Sequence, residues 1–147
     1  MINLLVEMVC KYYFDTCIWR DHYENRYAFS GKPLGEYATK LFMHIIKNKD
    51  ILLFSEFIVR ELRNDFDEKE INDMLNVLFM TGILKSVEVS EDNYKEAKKI
   101  GSERNLPPGD ALHAILARNN KAILVSQDEH HQKLKDIVEV KKPEQII

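Results

Sequence analysis

Four carboxylates in this chain stand where apolar runs stop or helices start, and they are the residues that could do chemistry. Asp15 ends the aromatic run "KYYFDT" (11–16) and Asp128 ends "KAILVSQD" (121–128). Asp110 follows two prolines and a glycine in "PPGDALHA" (107–114), and Glu61 lies in "SEFIVRELRN" (55–64). Clustered carboxylates without the His or Cys spacing of a zinc site suit a hard cation, Mg²⁺ or Mn²⁺, which prefers oxygen ligands and keeps several waters. Such a cation lowers the pKa of a bound water, orients a phosphodiester and neutralises charge on phosphate oxygens, and two of them about 3.5 to 4 Å apart clamp the attacking and leaving oxygens. Water is then the nucleophile, and no Ser or Cys nucleophile is needed.

Each of these residues also has a plainer explanation. Asp is common just after strands. An acid in a first helical turn complements the helix dipole, with Pro107 or Pro108 suited to the helix start. A helix-surface Glu is normally solvated, and Glu56 competes with Glu61, although Phe57, Ile58 and Leu62 place Glu61 beside the buried stripe. Thr16 and Ser126 either cap the following segments or orient the carboxylates. His113 shares the helical face of Asp110 and could donate to an acid, or could be an ordinary core or interface histidine. Arg20, Arg60 and Arg63 are candidates for holding phosphate, though scattered arginines usually solvate a face.

The elements that must position these residues can be read from periodicity. The runs 11–16, 50–55 and 121–128 are strand-favouring and apolar, as buried parallel strands are, while "KSVEV" (85–89) and "DIVEV" (136–140) alternate as outer or edge strands do. Leu34, Tyr37, Ala38, Leu41, Phe42, Ile45 and Ile46 fall on one helical stripe, and Ile71, Met74, Leu75, Leu78 and Phe79 on another. Further helices are expected from Ser90, a good N-cap, to Arg104, from Pro108 to Asn119, and over 55–64. Strands alternating with helices predict a three-layer α/β/α domain, a central parallel sheet flanked by helices on both faces with right-handed crossovers. Such sheets bind ligands outside the carboxyl ends of their strands, where strand order reverses, and there the acids can converge.

At 147 residues the chain fits one domain, expected over 11–147, with residues 1–10 as a possible N-terminal extension and Met8 an equally good start. The opening "MINLLVEMVCK" lacks the layout of a signal peptide, and no run approaches a membrane span. Cys10 and Cys17 form neither a CxxC nor a second pair, which fits a reducing cytoplasm. Lys and Arg number 21 against 24 Asp and Glu, a balance that argues against a broad basic platform for nucleic acid.

Taken in order, these segments resemble the PIN domain of metal-dependent ribonucleases, a family that includes the VapC-like toxins of toxin–antitoxin pairs. "YYFDTCIW" is similar to the family's first strand and its Asp-Thr end, "SEFIVRELRN" to the helix with the second acid, "LPPGDALHAILA" to the segment with the third, and "ILVSQDEHH" to the last strand with the fourth. The resemblance implies catalytic and metal-holding roles for Asp15, Glu61, Asp110 and Asp128, with Thr16 and Ser126 as hydroxyl companions. It further implies an endoribonuclease using Mg²⁺ or Mn²⁺ on an RNA substrate, a homodimer through apolar residues between Leu34 and Phe79, and a small antitoxin filling the acidic cleft. The chain departs from the pattern at His130 and His131, where many members place another acid and then an aromatic. Two other readings compete. A phosphatase with an aspartyl nucleophile would want an Asp where Cys17 stands, and a degenerate, non-catalytic scaffold binding protein or RNA would fit the weak basic charge.

Overall fold

The computed structural model describes residues 9–147, so all but Val9 and Cys10 of the expected extension, and the choice between Met1 and Met8, lie outside the described residues. Five parallel strands form one sheet in the order β3-β2-β1-β4-β5. They are β1 (Lys11–Phe14), β2 (Ile51–Ser55), β3 (Leu84–Val87), β4 (Ile123–Val125) and β5 (Val140–Lys141). Six helices connect them: α1 (Thr16–Glu24), α2 (Leu34–Asn48), α3 (Glu56–Leu62), α4 (Glu68–Phe79), α5 (Glu91–Arg104) and α6 (Pro108–Asn119).

The sheet centre is apolar on both faces, as parallel strands covered by helices must be. Tyr12, Tyr13, Phe14, Leu52, Leu53, Leu124 and Val125 are buried there. The first connections step from β1 to β2 and on to β3, and the next leaps back across the sheet to β4 on the other side of β1. With right-handed crossovers, that reversal puts α1 to α4 on one face and α5 and α6 on the other. The described chain is therefore a three-layer α/β/α domain, and its switch point lies between the carboxyl ends of β1 and β4.

Three local differences from the sequence reading have physical causes. The expected strand over 136–140 is confined to its last residue, because β5 covers only Val140–Lys141. Before it, Glu129–Leu134 coil into a 3₁₀ turn that buries His131 and Leu134, and Arg104 ties down the following turn with bonds to Asp136 of 2.6 and 2.8 Å. β3 begins at Leu84, before the expected span 85–89, and ends at Val87. Helix α1 was not foreseen: the apolar residues of "TCIWRDHYE" are few, but Ile18 and Trp19 are buried, and Trp19 packs edge-on against Phe14 and Phe42.

Asp110 is brought to the switch point by a close approach of backbones. α6 runs antiparallel to β4, so its first turn lies at the carboxyl edge of the sheet. The chain reaches that edge through Asn105, in a left-handed conformation, and Leu106, whose N–H donates to Gly101 O at 2.9 Å. A Cβ on Gly101 would stand 2.9 Å from Leu106 O and 3.3 Å from Pro108 Cα, both backbone atoms. Gly101→Ala should therefore force α5 away from the α6 start and cost about 1 to 3 kcal/mol, roughly 3 to 10 °C in melting temperature. A thermal melt that leaves Gly101→Ala level with wild type would contradict this packing.

Candidate active site

The four acids reach the carboxyl edge by different routes. Asp15 is the residue after β1 and is only 7% exposed. Asp128 follows β4 and caps the 3₁₀ turn, its Oδ1 accepting from the His130 N–H at 2.9 Å. Asp110 sits in the first turn of α6 but makes no cap bond, so its position is not explained by helix capping. Glu61 lies in α3, which begins at the end of β2 and is too short to carry Glu61 away from the edge.

Three imidazoles stand between the four carboxylates. His113 Nε2 lies 2.6 Å from Glu61 Oε1 and 3.8 Å from Asp15 Oδ1. On the other side of Asp15, His131 Nδ1 is 3.7 Å from Asp15 Oδ2 and its Nε2 is 3.9 Å from Asp110 Oδ1. His130 Nδ1 then lies 3.4 Å from Asp110 Oδ2 and 3.5 Å from Asp128 Oδ1.

On the Glu61 side one carboxylate oxygen and the imidazole behind it are fully engaged. Glu61 Oε1 accepts from Thr16 Oγ1 and from His113 Nε2, both at 2.6 Å. His113 Nδ1 meets the Tyr13 hydroxyl at 2.9 Å, which meets Ser55 Oγ at 2.8 Å, which in turn accepts from the Ile58 N–H at the start of α3. Burial would raise the Glu61 carboxyl, but the bond and charge of His113 and the Thr16 hydroxyl hold it below its usual range. Burial likewise lowers the affinity of His113 for a proton, and Glu61, Asp15 and Asp110 more than reverse that. Glu61 Oε2 is left on the Gly109 side, where a Cβ would come within 3.6 Å of it and 3.2 Å of Phe57.

Asp15 is held at one oxygen too. Oδ2 accepts from Ser126 Oγ at 2.8 Å and from Cys17 Sγ at 3.2 Å. Its burial would raise the carboxyl, yet His113, His131 and Ser126 keep it low. Beside it the Cys17 thiol is pushed well above its ordinary value, by burial first and by Asp15 next, so it stays a thiol that donates.

The Asp110 side is different, because two buried atoms there have no partner: Asp110 Oδ2 and His131 Nε2. Burial, outweighing His131, and the charges of Asp15 and Asp128 push the Asp110 carboxyl up. A cation fits this donor set, since it would satisfy the orphaned Asp110 oxygen and offset the acid–acid repulsion.

Among the other sequence candidates, Arg20 lies beside the site: its guanidinium donates to Glu61 O at 3.4 Å and pairs with Asp65 at 2.9 Å, while its buried Nε is unpartnered. Arg60 lies over the Tyr94 ring at 5.9 Å, and Arg63 is engaged by Glu68 at 2.6 Å. The structure brings neither to the four acids. Glu56 lies in the first turn of α3, in a separate depression with Ser86 and Glu88. Thr16 bonds Glu61 and not Asp15, the acid it follows in sequence.

Sequence reasoning passed over Tyr13 and Ser55, which look like ordinary strand residues, and Asp21. The last is buried on α1, and its carboxyl is pushed up to about 6 by burial, with Arg26 opposing and Asp15 adding. At His130 and His131 sequence reasoning marked only a departure from the family pattern, whereas the 3₁₀ turn sets His130 beside Asp110 and Asp128.

The chain matches the PIN domain over residues 12–137. It belongs to the PIN domain family. Solved structures with the same PIN fold include VapBC2 from Rickettsia felis bound to a DNA fragment from its promoter, at 17% identity and a TM-score of 0.64, covering 90% of this chain and 98% of that one. VapBC-1 from nontypeable Haemophilus influenzae matches at 17% identity and a TM-score of 0.61, over 91% and 98% of the two chains. FitAcB from Neisseria gonorrhoeae matches at 14% and 0.58, over 90% and 97%. No curated protein matches the chain. Among the described residues of this PIN domain, no helix is long and apolar enough to cross a membrane.

The electrostatics give a test without any substrate. Two carboxylates about 5 Å apart repel by roughly 3 kcal/mol at an effective dielectric near 20, and the wet cleft cuts this to about 1 kcal/mol. Asp110→Asn removes one such charge where no cap bond is lost, so in EDTA it should melt higher than wild type by about 2 to 5 °C, and gain less from Mn²⁺. A variant melting lower in EDTA would mean that Asp110 serves the helix dipole alone.

Proposed function

We propose that this PIN domain is a metal-dependent endoribonuclease, a VapC-like toxin of a toxin–antitoxin pair acting in the cytoplasm, with Asp15, Glu61, Asp110 and Asp128 holding Mg²⁺ or Mn²⁺. The observation that carries the reading is the division of labour within the acids. Asp15, Glu61 and Asp128 each have one oxygen fixed by the fold, and Asp110 has a buried oxygen with no partner. A surface cluster without function would not need a buried, unpartnered carboxylate oxygen, which costs roughly 1 to 3 kcal/mol or more.

The cation would supply a water of lowered pKa and a counter-charge for the scissile phosphate. The protein's own residues do the positioning. Ser126 and Cys17 fix Asp15, Thr16 and His113 fix Glu61, and the Tyr13–Ser55 pair holds the His113 ring from behind. Arg20 is the candidate for a phosphate oxygen, with its Nε unpartnered. The chain's near-neutral charge means that this local site, not a broad basic surface, would have to grip RNA.

An antitoxin partner is supported by the fold shared with a toxin–antitoxin complex from Klebsiella pneumoniae, which matches at 16% identity and a TM-score of 0.57 over 89% of this chain and 96% of that one. A homodimer is supported by Met43, Val77, Phe79 and Met80, which are all more than half exposed. Val77 also lines a cleft with His22, Tyr23 and Met74. Val77→Arg should convert the dimer to a monomer in light scattering, and a wild type that already has the monomer mass would refute the pairing.

For the activity, a mixed RNA pool should be cut with Mg²⁺ or Mn²⁺, remain intact in EDTA, and be cut about a hundredfold or more slowly by Asp15→Asn. Cleavage that survives both EDTA and the substitution belongs to another mechanism. A folded protein that cuts nothing with any metal leaves the scaffold reading standing.

A further inference from the structure

We propose that Asp110, Asp128 and His130 form a mixed carboxylate–imidazole cation site that prefers Mn²⁺ and later divalent transition metals to Mg²⁺. One ligand atom from each of the three residues can be chosen so that all lie within 4.8 Å of one another, close enough to share an ion. His130 Nδ1 stands 3.4 Å from Asp110 Oδ2 and 3.5 Å from Asp128 Oδ1, facing both and hydrogen-bonded to neither. The turn that makes this possible is the one capped by Asp128 itself, so ligand and scaffold are the same residue.

A second, independent observation lies beneath the triad. His131 is fully buried, with 0% exposure, and its Nε2 has no partner. Ser126 Oγ uses its only proton on Asp15 and accepts from the Asp128 N–H at 3.0 Å. Its 3.0 Å contact with His131 Nδ1 therefore has the ring N–H donating. In the neutral ring that leaves Nε2 a bare lone pair, aimed at Asp110 Oδ1 from 3.9 Å, too far for a hydrogen bond. Two lone pairs facing each other in a buried position, beside the orphaned Asp110 Oδ2, make a local excess of negative potential that a cation held by Asp110, Asp128 and His130 would offset without ligation by His131.

The chemistry of the set decides which cation. Mg²⁺ takes oxygen ligands and rarely nitrogen, whereas the later divalent metals accept an imidazole beside carboxylates, with affinity for such a mixed site rising from Mn²⁺ through Co²⁺ and Ni²⁺ to Cu²⁺. His130 is half exposed, so an ion can reach the triad from solvent. The inference rests on the nuclease reading for its purpose but not for its test.

The test is pulsed electron paramagnetic resonance on protein carrying one equivalent of Mn²⁺, together with competition between Mn²⁺ and Mg²⁺. Wild type should show coupling of the Mn²⁺ spin to a directly bound ¹⁴N. His130→Ala should lose it and bind Mn²⁺ roughly tenfold or more weakly, while Mg²⁺ binding changes little. His130→Asp should keep metal binding without the nitrogen coupling and with the Mn²⁺ preference reduced. Because His130 is exposed, both variants should fold, which circular dichroism checks. Absence of ¹⁴N coupling in wild type overturns the inference, as does coupling that persists in His130→Ala, which would assign the nitrogen elsewhere. RNA cleavage in the same samples separates the two readings. Cleavage with Mg²⁺ and no nitrogen coupling sinks this inference alone, and nitrogen coupling without cleavage by any metal sinks the nuclease reading alone.

Discussion

A carboxylate buried at the end of the central strand must be compensated, and much of the site's architecture follows from compensating Asp15. An isolated buried carboxylate would take up a proton instead of staying charged. Here the fold surrounds it from four directions. Ser126 comes from the end of β4, Cys17 from the first turn of α1, His113 from α6 and His131 from the 3₁₀ turn after β4. These groups arrive from segments far apart in the chain, so the switch point of the sheet is specified by polar contacts as well as by its apolar centre.

The same contacts link the remaining acids. His113 serves Glu61 and faces Asp15, and His131 faces Asp15 and Asp110, so carboxylates alternating with imidazoles replace a bare cluster of negative charge. Alternation explains how opposite shifts occur only a few ångströms apart. Asp15 and Glu61 are held low because imidazole contacts and hydrogen bonds outweigh burial, whereas Asp110 is raised because burial and two like charges outweigh the pull of His131 and His113.

Much of the fold was legible in the sequence because its elements carry strong periodic patterns. The apolar runs of β1, β2 and β4 and the stripes of α2 and α4 need no tertiary information to be recognised. The Ser90 N-cap was readable as well, and it forms a capping box with Asn93. What failed was decided by distant partners. "DIVEV" alternates like a strand, but Arg104 and the buried Leu134 hold the preceding residues in turns. "TCIWRDHYE" has a mean composition too polar to announce a helix, and folds as one because Trp19 finds the aromatic pocket of Phe14 and Phe42 and Ile18 is buried beside it in the same helix. At the site, the positions of the four acids could be argued from element ends, but Thr16 turning to Glu61 depends on how α3 crosses the sheet edge. Neither hydroxyl nor imidazole pairings of that kind leave a trace in local spacing.

The two halves of the site therefore differ in kind. Around Glu61, hydrogen bonds run unbroken from the α3 backbone through Ser55, Tyr13 and His113 to Oε1 of the carboxylate. Around Asp110 the fold stops short, with a buried oxygen and a buried ring nitrogen unmatched and a half-exposed imidazole above them. Hydrogen bonds made before any ligand arrives give rigidity, and acceptors left unmatched give affinity for whatever completes them. A single domain with both is pre-organised on one side and incomplete on the other, so the choice of any ion would fall to the incomplete side. In most of a protein interior such a deficit would be removed by a packed apolar side chain. Here it persists in the one place where every route to the carboxyl edge of the sheet converges.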